Sequence, residues 1–325
     1  MTEASTFPRT ADECLHTTIV DCLKGNYVET PKDTSYELLS YSTGMSNPRA
    51  RIVTNPLRPL NIVVAVARFT WMAAGNNRLQ DIAFYEPKVG GFTDNGLTVP
   101  GSCYGNRLFE PRPGLNQIQG VVDRLRENPG TRRAAAVVWA PEDAVRVSQD
   151  IPCTFGVFFH VRGGKLNMTT AMRSNNAYRI LLFNLFEFSM LQELVAAELG
   201  LPLGDYLHWA ASMHVYDNDG EMPNTFCIAS EGPGKSIKMP EMPYGDALKQ
   251  ANLLARYETQ MRHCCSNDEL DGIVAQAIAT LNPYWLNLFG VLAMFVASKR
   301  RYTMSVPMYE NFATLAETAI AKMLG

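Results

Sequence analysis

The sequence predicts a mixed α/β (α+β) fold, in which helices flank a central, mostly antiparallel sheet and a helical segment follows at the C-terminal end. The strand-like runs 153–162 and 165–174 are joined by a glycine pair, which is typical of a β-hairpin. The run 181–200 is apolar on most faces and ends in glycine, as a long buried helix does. Residues 246–325 are predicted to be mostly helical.

The other elements are predicted from glycine, proline and hydrophobic patterning. In order, the predicted elements are a short helix in 10–24, a helix in 62–75, a long glycine-rich loop in 90–105, a helix in 116–133, a strand in 134–140, the hairpin, the helix 181–200 and a strand in 205–218. They divide the chain into a polar lead-in (1–34), a core (35–220), and a proline-rich connector with a helical segment packed on the core (221–325).

Composition narrows the classes of function. The 325 residues include 29 basic and 32 acidic side chains, so we expect neither a nucleic-acid polymer nor a membrane as partner. The first residues lack the pattern of a secretory signal, and the most apolar late stretch, 282–301, is interrupted by polar residues. The seven cysteines include no CxxC pair, which argues against a disulfide framework and structural zinc. We therefore expect a cytoplasmic protein without a bound metal.

Cys153 follows a proline at the start of the predicted hairpin. A lone cysteine is usually a small buried apolar residue, but a thiolate is a strong nucleophile when cations lie nearby. Arg132 and Arg133 precede it by about twenty residues, and Arg173 and Ser174 follow it by about twenty. Because a hairpin returns its second strand beside the first, Arg173 is predicted near Cys153, where a guanidinium could also bind phosphate. Taken alone, Arg132 and Arg133 are more typical of a solvated surface turn than of a binding site.

Two side chains of the last predicted strand, His214 and Tyr216, are spaced to leave it on one face. Such a pair can hydrogen-bond a sugar hydroxyl, although it is also a common structural pair at a strand end. Together with Cys153, Arg173 and Asn184, it suggests a pocket for a phosphorylated polar ring. Spacing alone does not identify the ring.

Four segments resemble motifs of the thymidylate synthase family, in the same order, over roughly residues 35–220. They are GSCYG, NPGTRRAAAVVWAP, IPCTFGVFFHVRGGKLNMTTAMRSNNAYRILLFN and LGLPLGDYLHWAASMHVYDN. The resemblance implies a homodimer with shared active sites and a thymidylate synthase-like fold. It also implies that 5,10-methylenetetrahydrofolate supplies a one-carbon unit to C5 of a pyrimidine nucleoside monophosphate.

The resemblance implies a role for each matching residue. Cys153 would add to C6 of the pyrimidine, and Asn184 would contact N3 and O4 of the base. Arg173 and Ser174 would bind the phosphate, and Arg132 and Arg133 would bind the phosphate in the other subunit's site. His214 and Tyr216 would bind the sugar hydroxyl, and Tyr104 would form part of the pocket wall. Each role suits the residue type: covalent addition needs a thiolate, phosphate suits a guanidinium fork, and discrimination between bases needs a fixed amide.

The sequence also departs from the family pattern. Arg68 stands where the family has an active-site glutamate, and no acid occurs in 57–80. Asn176 stands where an aspartate contacts folate, and we expect it to bind the cofactor. No tryptophan precedes Tyr104 in 86–103, and the family's C-terminal tail is not recognisable. Without an aromatic wall, water would reach the exocyclic methylene, and the product would be hydroxymethyl rather than methyl.

These departures predict a pyrimidine nucleotide hydroxymethylase. Asn184 can donate to O4 and accept from N3–H, which suits uracil, so dUMP is the favoured substrate. Three alternatives stay open: a dCMP or CMP hydroxymethylase, a methylating thymidylate synthase, and a catalytically degenerate homologue that binds nucleotides.

Overall fold

The computed structural model describes residues 8–29, 33–229, 232 and 234–325. Their α-helices are α1 (Ala11–Leu23), α2 (Ile62–Ala73), α3 (Leu79–Ala83), α4 (Tyr104–Phe109), α5 (Gln117–Glu127), α6 (Leu181–Leu199), α7 (Met222–Ala229), α8 (Ala247–His263), α9 (Asn267–Thr280), α10 (Pro283–Arg300) and α11 (Glu310–Leu324). Their strands are β1 (Asn26–Glu29), β2 (Thr34–Met45), β3 (Ala135–Val137), β4 (Thr154–Arg162), β5 (Lys165–Met172), β6 (Asn175–Asn176) and β7 (Leu203–Tyr216).

The chain folds into two compact units, and both are discontinuous in sequence. The first comprises Met1–Leu60, Gln117–Arg146 and Pro152–Pro240, and the second comprises Asn61–Asn116, Val147–Ile151 and Glu241–Gly325. The sequence-based boundaries 1–34, 35–220 and 221–325 cut the chain into consecutive pieces. They therefore do not follow these units, because the chain leaves the first unit after residue 60 and returns to it at 117.

The first unit is built on a seven-stranded sheet with the order β1-β2-β7-β5-β4-β3, and β6 pairs with β7. Four pairings are antiparallel: β1–β2, β2–β7, β3–β4 and β4–β5. The pairings of β7 with β5 and β6 are parallel. The predicted mixed fold with a mostly antiparallel sheet is therefore confirmed, and β4 and β5 form the predicted hairpin.

Helices α1 and α6 pack against this sheet. Side chains alternate along the strands, and the inward set, which includes Met168, Tyr206 and His208, is almost completely buried. Helix α6 is buried along most of its length, as its uniformly apolar sequence predicts. It ends at Gly200, whose φ of 66° is the left-handed conformation in which glycine avoids a Cβ clash.

The ends of the first unit contain two elements that were not predicted. The lead-in 1–34 does contain the predicted helix, but it also contributes β1, which pairs with β2 at the sheet edge. The connector after residue 220 contains helix α7. Proline does not prevent this helix, because Pro223 occupies its first turn, where the missing amide hydrogen is not needed.

The second unit is helical, and α10 contacts α2, α8, α9 and α11. Trp285 and Phe289 of α10 are buried, so most of the apolar stretch 282–301 forms a buried helix. Arg262 of α8 pairs with Glu258 and Asp81 at 2.8 and 2.9 Å, which neutralises its buried charge. Among the described residues, no helix has the length and apolarity that crossing a bilayer requires.

We predict that His208 makes the stability of the first unit depend on pH. The ring is fully buried, and burial lowers the pKa of His208 to about 3. As the pH falls below 6.5, the unfolded chain binds this proton but the folded chain does not. The free energy of unfolding should therefore fall by about 1.4 kcal/mol per pH unit from this residue alone.

Urea titrations of the wild type and His208→Gln, at pH 7.5 and 5.0, test this prediction. The substitution lowers stability at both pH values by removing a packed ring, so only the pH-dependent difference is informative. The wild type should lose about 2 kcal/mol more than the variant between the two pH values. Equal losses would contradict the assignment.

Candidate functional site

Cys153 lies one residue before β4 and is partly exposed. The returning strand β5 places Arg173 directly beside it: the Arg173 amide donates to the Cys153 carbonyl at 2.7 Å. The Arg173 side chain is anchored here too, because Nε donates to the Pro152 carbonyl at 2.9 Å. The hairpin therefore brings a guanidinium to the segment that carries the thiol.

A pocket of about 220 Å³ lies next to this hairpin in the first unit. It is lined by Asp33, Ser35 and Glu37 from β2 and the residue before it, by Ser174, and by Ser212, His214 and Tyr216 from β7. The register explains the convergence, because Ser35 pairs with Tyr216 and Glu37 with His214. Directly paired residues of antiparallel strands project to the same face.

His214 presents a neutral ring to this pocket. Burial lowers the pKa of His214, although the carboxylates of Glu37, Asp219 and Asp33 act in the opposite direction. Nε2 is buried, and it has no hydrogen-bond partner among the residues that the structure describes. A buried polar atom in this state is expected to bind a ligand, since leaving it unpaired is unfavourable.

Tyr216 is held by a network that the sequence analysis missed. The Arg179 guanidinium lies 5.1 Å from the centroid of its ring, a cation–π distance. Arg179 forms an ion pair with Asp219 and donates to Asn218 Oδ1 at 3.0 Å. Burial and the nearby Asp33 raise the pKa of Tyr216, so its hydroxyl keeps its proton.

Asn184 lies in α6 and is 1% exposed. Its Oδ1 accepts a hydrogen bond of 2.6 Å from Asn175 Nδ2, which fixes the orientation of the amide. One lone pair of the oxygen and the amide hydrogens remain as potential contacts to a base. Asn175 lies directly after the Arg-Ser motif, but no pattern in the sequence distinguishes it as a site residue.

The side-chain amide of Asn176 makes one hydrogen bond through its oxygen, and its nitrogen is available as a donor. Its Oδ1 accepts from the Arg179 amide at 2.6 Å, which closes the turn before α6. Its Nδ2 is buried and has no partner among the described residues. The predicted cofactor contact fits this side chain, because a folate carbonyl or ring nitrogen could accept from that donor.

Arg132 and Arg133 lie far from Cys153 of the same chain. Both are exposed and precede β3, where Ala135 pairs with Phe158 of β4. Phe158 is five residues from Cys153, or about 17 Å at 3.3 Å per residue, and the two arginines lie beyond it. The structure therefore does not bring them together with the other predicted phosphate ligands of this chain.

The second unit holds Tyr104 and Arg68. Tyr104 is the first residue of α4, after a loop that Asp150 anchors by accepting from the Gly101 amide at 2.6 Å. Arg68 of α2 forms a two-bond ion pair with Glu86, with donor–acceptor distances of 2.7 and 2.9 Å. A carboxylate thus lies at the helix position where the sequence lacks one, and it comes from eighteen residues further along the chain.

Comparison with known proteins identifies the family. A family model described as thymidylate synthase matches residues 56–239, more than half of the chain. The chain belongs to the thymidylate synthase family. It is 31% identical over 186 residues to a deoxyuridylate hydroxymethyltransferase of Bacillus phage SP01, which covers 53% of this chain and 48% of that protein.

Two further comparisons agree with this membership. A Methanocaldococcus jannaschii protein, named provisionally as a thymidylate synthase, is 37% identical over 120 residues, 35% of this chain and 54% of that protein. The chain thus spans about half the length of these curated relatives. Thymidylate synthase A of Bacillus subtilis, a solved structure, shares the fold with a TM-score of 0.56 at 22% identity, over 67% of this chain and 84% of that one.

We predict that the Asn175–Asn184 hydrogen bond contributes to stability as well as to site geometry. Asn175→Leu would leave the buried Asn184 carbonyl without this donor, at a cost of about 1–3 kcal/mol in unfolding free energy. A double-mutant cycle with Asn184→Leu, followed by urea unfolding, should give a coupling energy of about 1 kcal/mol. Additive losses would show that the two amides are not coupled.

Proposed function

We propose that this protein transfers a one-carbon unit to C5 of a pyrimidine nucleoside monophosphate and releases the 5-hydroxymethyl nucleotide, with dUMP as the substrate. The observation that carries the proposal is the pairing of Cys153 with Arg173 beside the pocket of Ser174, His214 and Tyr216. A nucleophile, an anion-binding guanidinium and a hydroxyl-binding pocket are the three groups that covalent activation of a nucleotide requires.

In this proposal Cys153 attacks C6 of the pyrimidine as a thiolate. The new bond joins Sγ to C6, and the electron pair of the C5–C6 double bond moves to C5, conjugated with the C4 carbonyl. Arg173 and Ser174 hold the phosphate, His214 and Tyr216 hold the sugar hydroxyl, and Asn184 contacts the base. C5 would then bond the one-carbon unit that the cofactor supplies, and loss of the C5 proton with release of tetrahydrofolate would leave an exocyclic methylene on C5. Addition of water to that methylene would give the hydroxymethyl group and expel the Cys153 thiolate from C6, which restores the C5–C6 double bond and frees the enzyme.

The cofactor is proposed to be 5,10-methylenetetrahydrofolate, which supplies the one-carbon unit when it is bound. Asn176 would hold it through the buried Nδ2 donor, which has no partner among the described residues. The amide is already oriented by its bond to the Arg179 backbone, so little conformational freedom would be lost on binding.

Water access supports hydroxymethyl as the product. The segment 86–103, where the family resemblance implies an aromatic wall beside the methylene, contains no tryptophan. A site without a packed aromatic wall admits water, which would add to the exocyclic methylene on C5. The similarity to a phage deoxyuridylate hydroxymethyltransferase supports both this product and uracil as the base.

The proposed active form is a homodimer. Strands β3 and β4 carry three exposed apolar side chains, Val137, Phe155 and Phe158. A second copy of the chain would cover these side chains. Because Arg132 and Arg133 lie at the far end of β4 from Cys153, we propose that they contact the phosphate in the partner's site.

Replacement of the nucleophile tests the reaction. Cys153→Ala should abolish tritium release from [5-³H]dUMP in the presence of methylenetetrahydrofolate, because no other group would add to C6. Mass spectrometry of products from dUMP, UMP, dCMP and CMP, run in parallel, identifies the substrate. Cys265→Ala, which removes an exposed cysteine of the second unit, is the matched control and should retain activity.

The same assay separates the alternatives. Dihydrofolate as a product would favour a methylating thymidylate synthase, whereas tetrahydrofolate favours the hydroxymethylase. Greater turnover of dCMP or CMP would replace dUMP as the substrate. No tritium release from any nucleotide, with nucleotide binding retained, would favour a degenerate binding homologue.

We further propose that Glu86 supplies the carboxylate that the family has at the position of Arg68. Glu86→Gln should lower the rate of tritium release by about a hundredfold, as expected for loss of proton transfer, while the Kd for dUMP changes less than about threefold. If Glu86 only anchors Arg68, the variant will lose thermal stability and keep its turnover rate. Arg68→Lys, which preserves the charge, should recover part of the activity lost in Arg68→Met.

A further inference from the structure

We propose that Glu37 determines specificity at the sugar end of the nucleotide site. Its carboxylate would accept a hydrogen bond from the free 3′-hydroxyl and, by its charge, exclude a nucleotide that carries a phosphate there. The site would then take a free mononucleotide and reject one within a polynucleotide chain. This inference rests on the proposed function, which assigns the sugar to the pocket of His214 and Tyr216.

The position of Glu37 is set by the backbone and by one side-chain contact. Glu37 of β2 is paired directly with His214 of β7, so the two side chains emerge on the same face. Ser212, two residues from His214 on the same strand, donates through Oγ to Glu37 Oε1 at 2.5 Å. The carboxylate is therefore held in the wall of the pocket, beside the ring proposed to contact the sugar.

Hydrogen-bonding capacity at this end of the pocket favours a donor as ligand. Nε2 of His214 is buried and has no partner among the described residues, and a neutral imidazole can offer this nitrogen as an acceptor. The hydroxyl hydrogen of Ser212 is already used in its hydrogen bond to Glu37, and an ionised carboxylate can only accept hydrogen bonds. A sugar hydroxyl supplies the donor that these acceptors lack.

Charge at this end of the pocket opposes a phosphate. Asp33 also lines the pocket and is held by Asn218, which donates through Nδ2 to its Oδ1 at 3.1 Å. Two carboxylates therefore face the space where a 3′-phosphate would lie, and like charges at short distance repel strongly in a partly buried site. The Arg179 guanidinium near Tyr216 is paired with Asp219, and the Arg173 guanidinium lies next to Ser174, on the side proposed for the 5′-phosphate.

Binding measurements on the full-length protein, without folate, test the proposal. The probes are dUMP and deoxyuridine 3′,5′-bisphosphate, and the measured quantity is the ratio of their dissociation constants by calorimetry. The wild type should bind dUMP at least about thirtyfold more tightly than the bisphosphate. Glu37→Gln should reduce this ratio by about tenfold or more, because the amide keeps the shape and loses the charge.

Two further variants distinguish charge from shape and from misfolding. Glu37→Asp keeps the charge and should still discriminate against the bisphosphate, even if it binds dUMP more weakly. Glu127→Gln, which removes an exposed carboxylate at the end of α5, should leave the ratio unchanged. The proposal is wrong if the wild type binds both probes equally, or if Glu37→Gln retains the wild-type ratio.

The outcomes also separate this proposal from the proposed function. If the wild type binds and converts dUMP but the ratio is independent of Glu37, only the role of Glu37 is overturned. If the wild type binds neither probe, the assignment of the pocket to a nucleotide fails, and the role of Glu37 fails with it.

Discussion

The arrangement of the first unit depends on the pairing of β7 with three other strands. β7 lies between β2 on one side and β5 and β6 on the other, antiparallel to the first and parallel to the others. This register sets Glu37 opposite His214 and Asn176 beside it. A shift of one residue in the register of β7 would turn His214 and Tyr216 toward the opposite face of the sheet, and the pocket would be lost. Backbone hydrogen bonding thus decides which side chains meet.

Burial then determines what these side chains can do. His214, Asn175, Asn176 and Asn184 are all at least nine-tenths buried, and some of their polar atoms lack partners within the described residues. Leaving such atoms without hydrogen-bond partners lowers the free energy of unfolding, so these side chains make the first unit less stable than it would be with apolar residues in their place. This pattern is typical of a binding site, where a ligand completes the hydrogen bonding.

The sequence predicted those parts of the site that depend on local pattern. Arg173 was expected near Cys153 because a glycine pair reverses the chain between them, and α6 was expected because its apolar run is long and ends in glycine. Glu37 and Ser212 are 175 residues apart, and their contact depends on strand order, which single-sequence patterns do not encode. Glu86 was missed for a related reason: its role depends on a loop that returns to α2, and loops lack the periodicity of helices and strands. The edge strand β1 was missed because it is short and mostly exposed, without an apolar alternation.

The neutral state of His214 has a consequence for how nucleotide binding responds to acid. Its pKa is lowered by burial, so the ring takes up a proton at a lower pH than an ordinary imidazole does. A nucleotide's phosphate takes up its second proton near pH 6. A loss of affinity in mildly acidic solution would therefore include the ligand's own change from dianion to monoanion, and the lowered pKa of His214 reduces the share of that loss that the imidazole contributes.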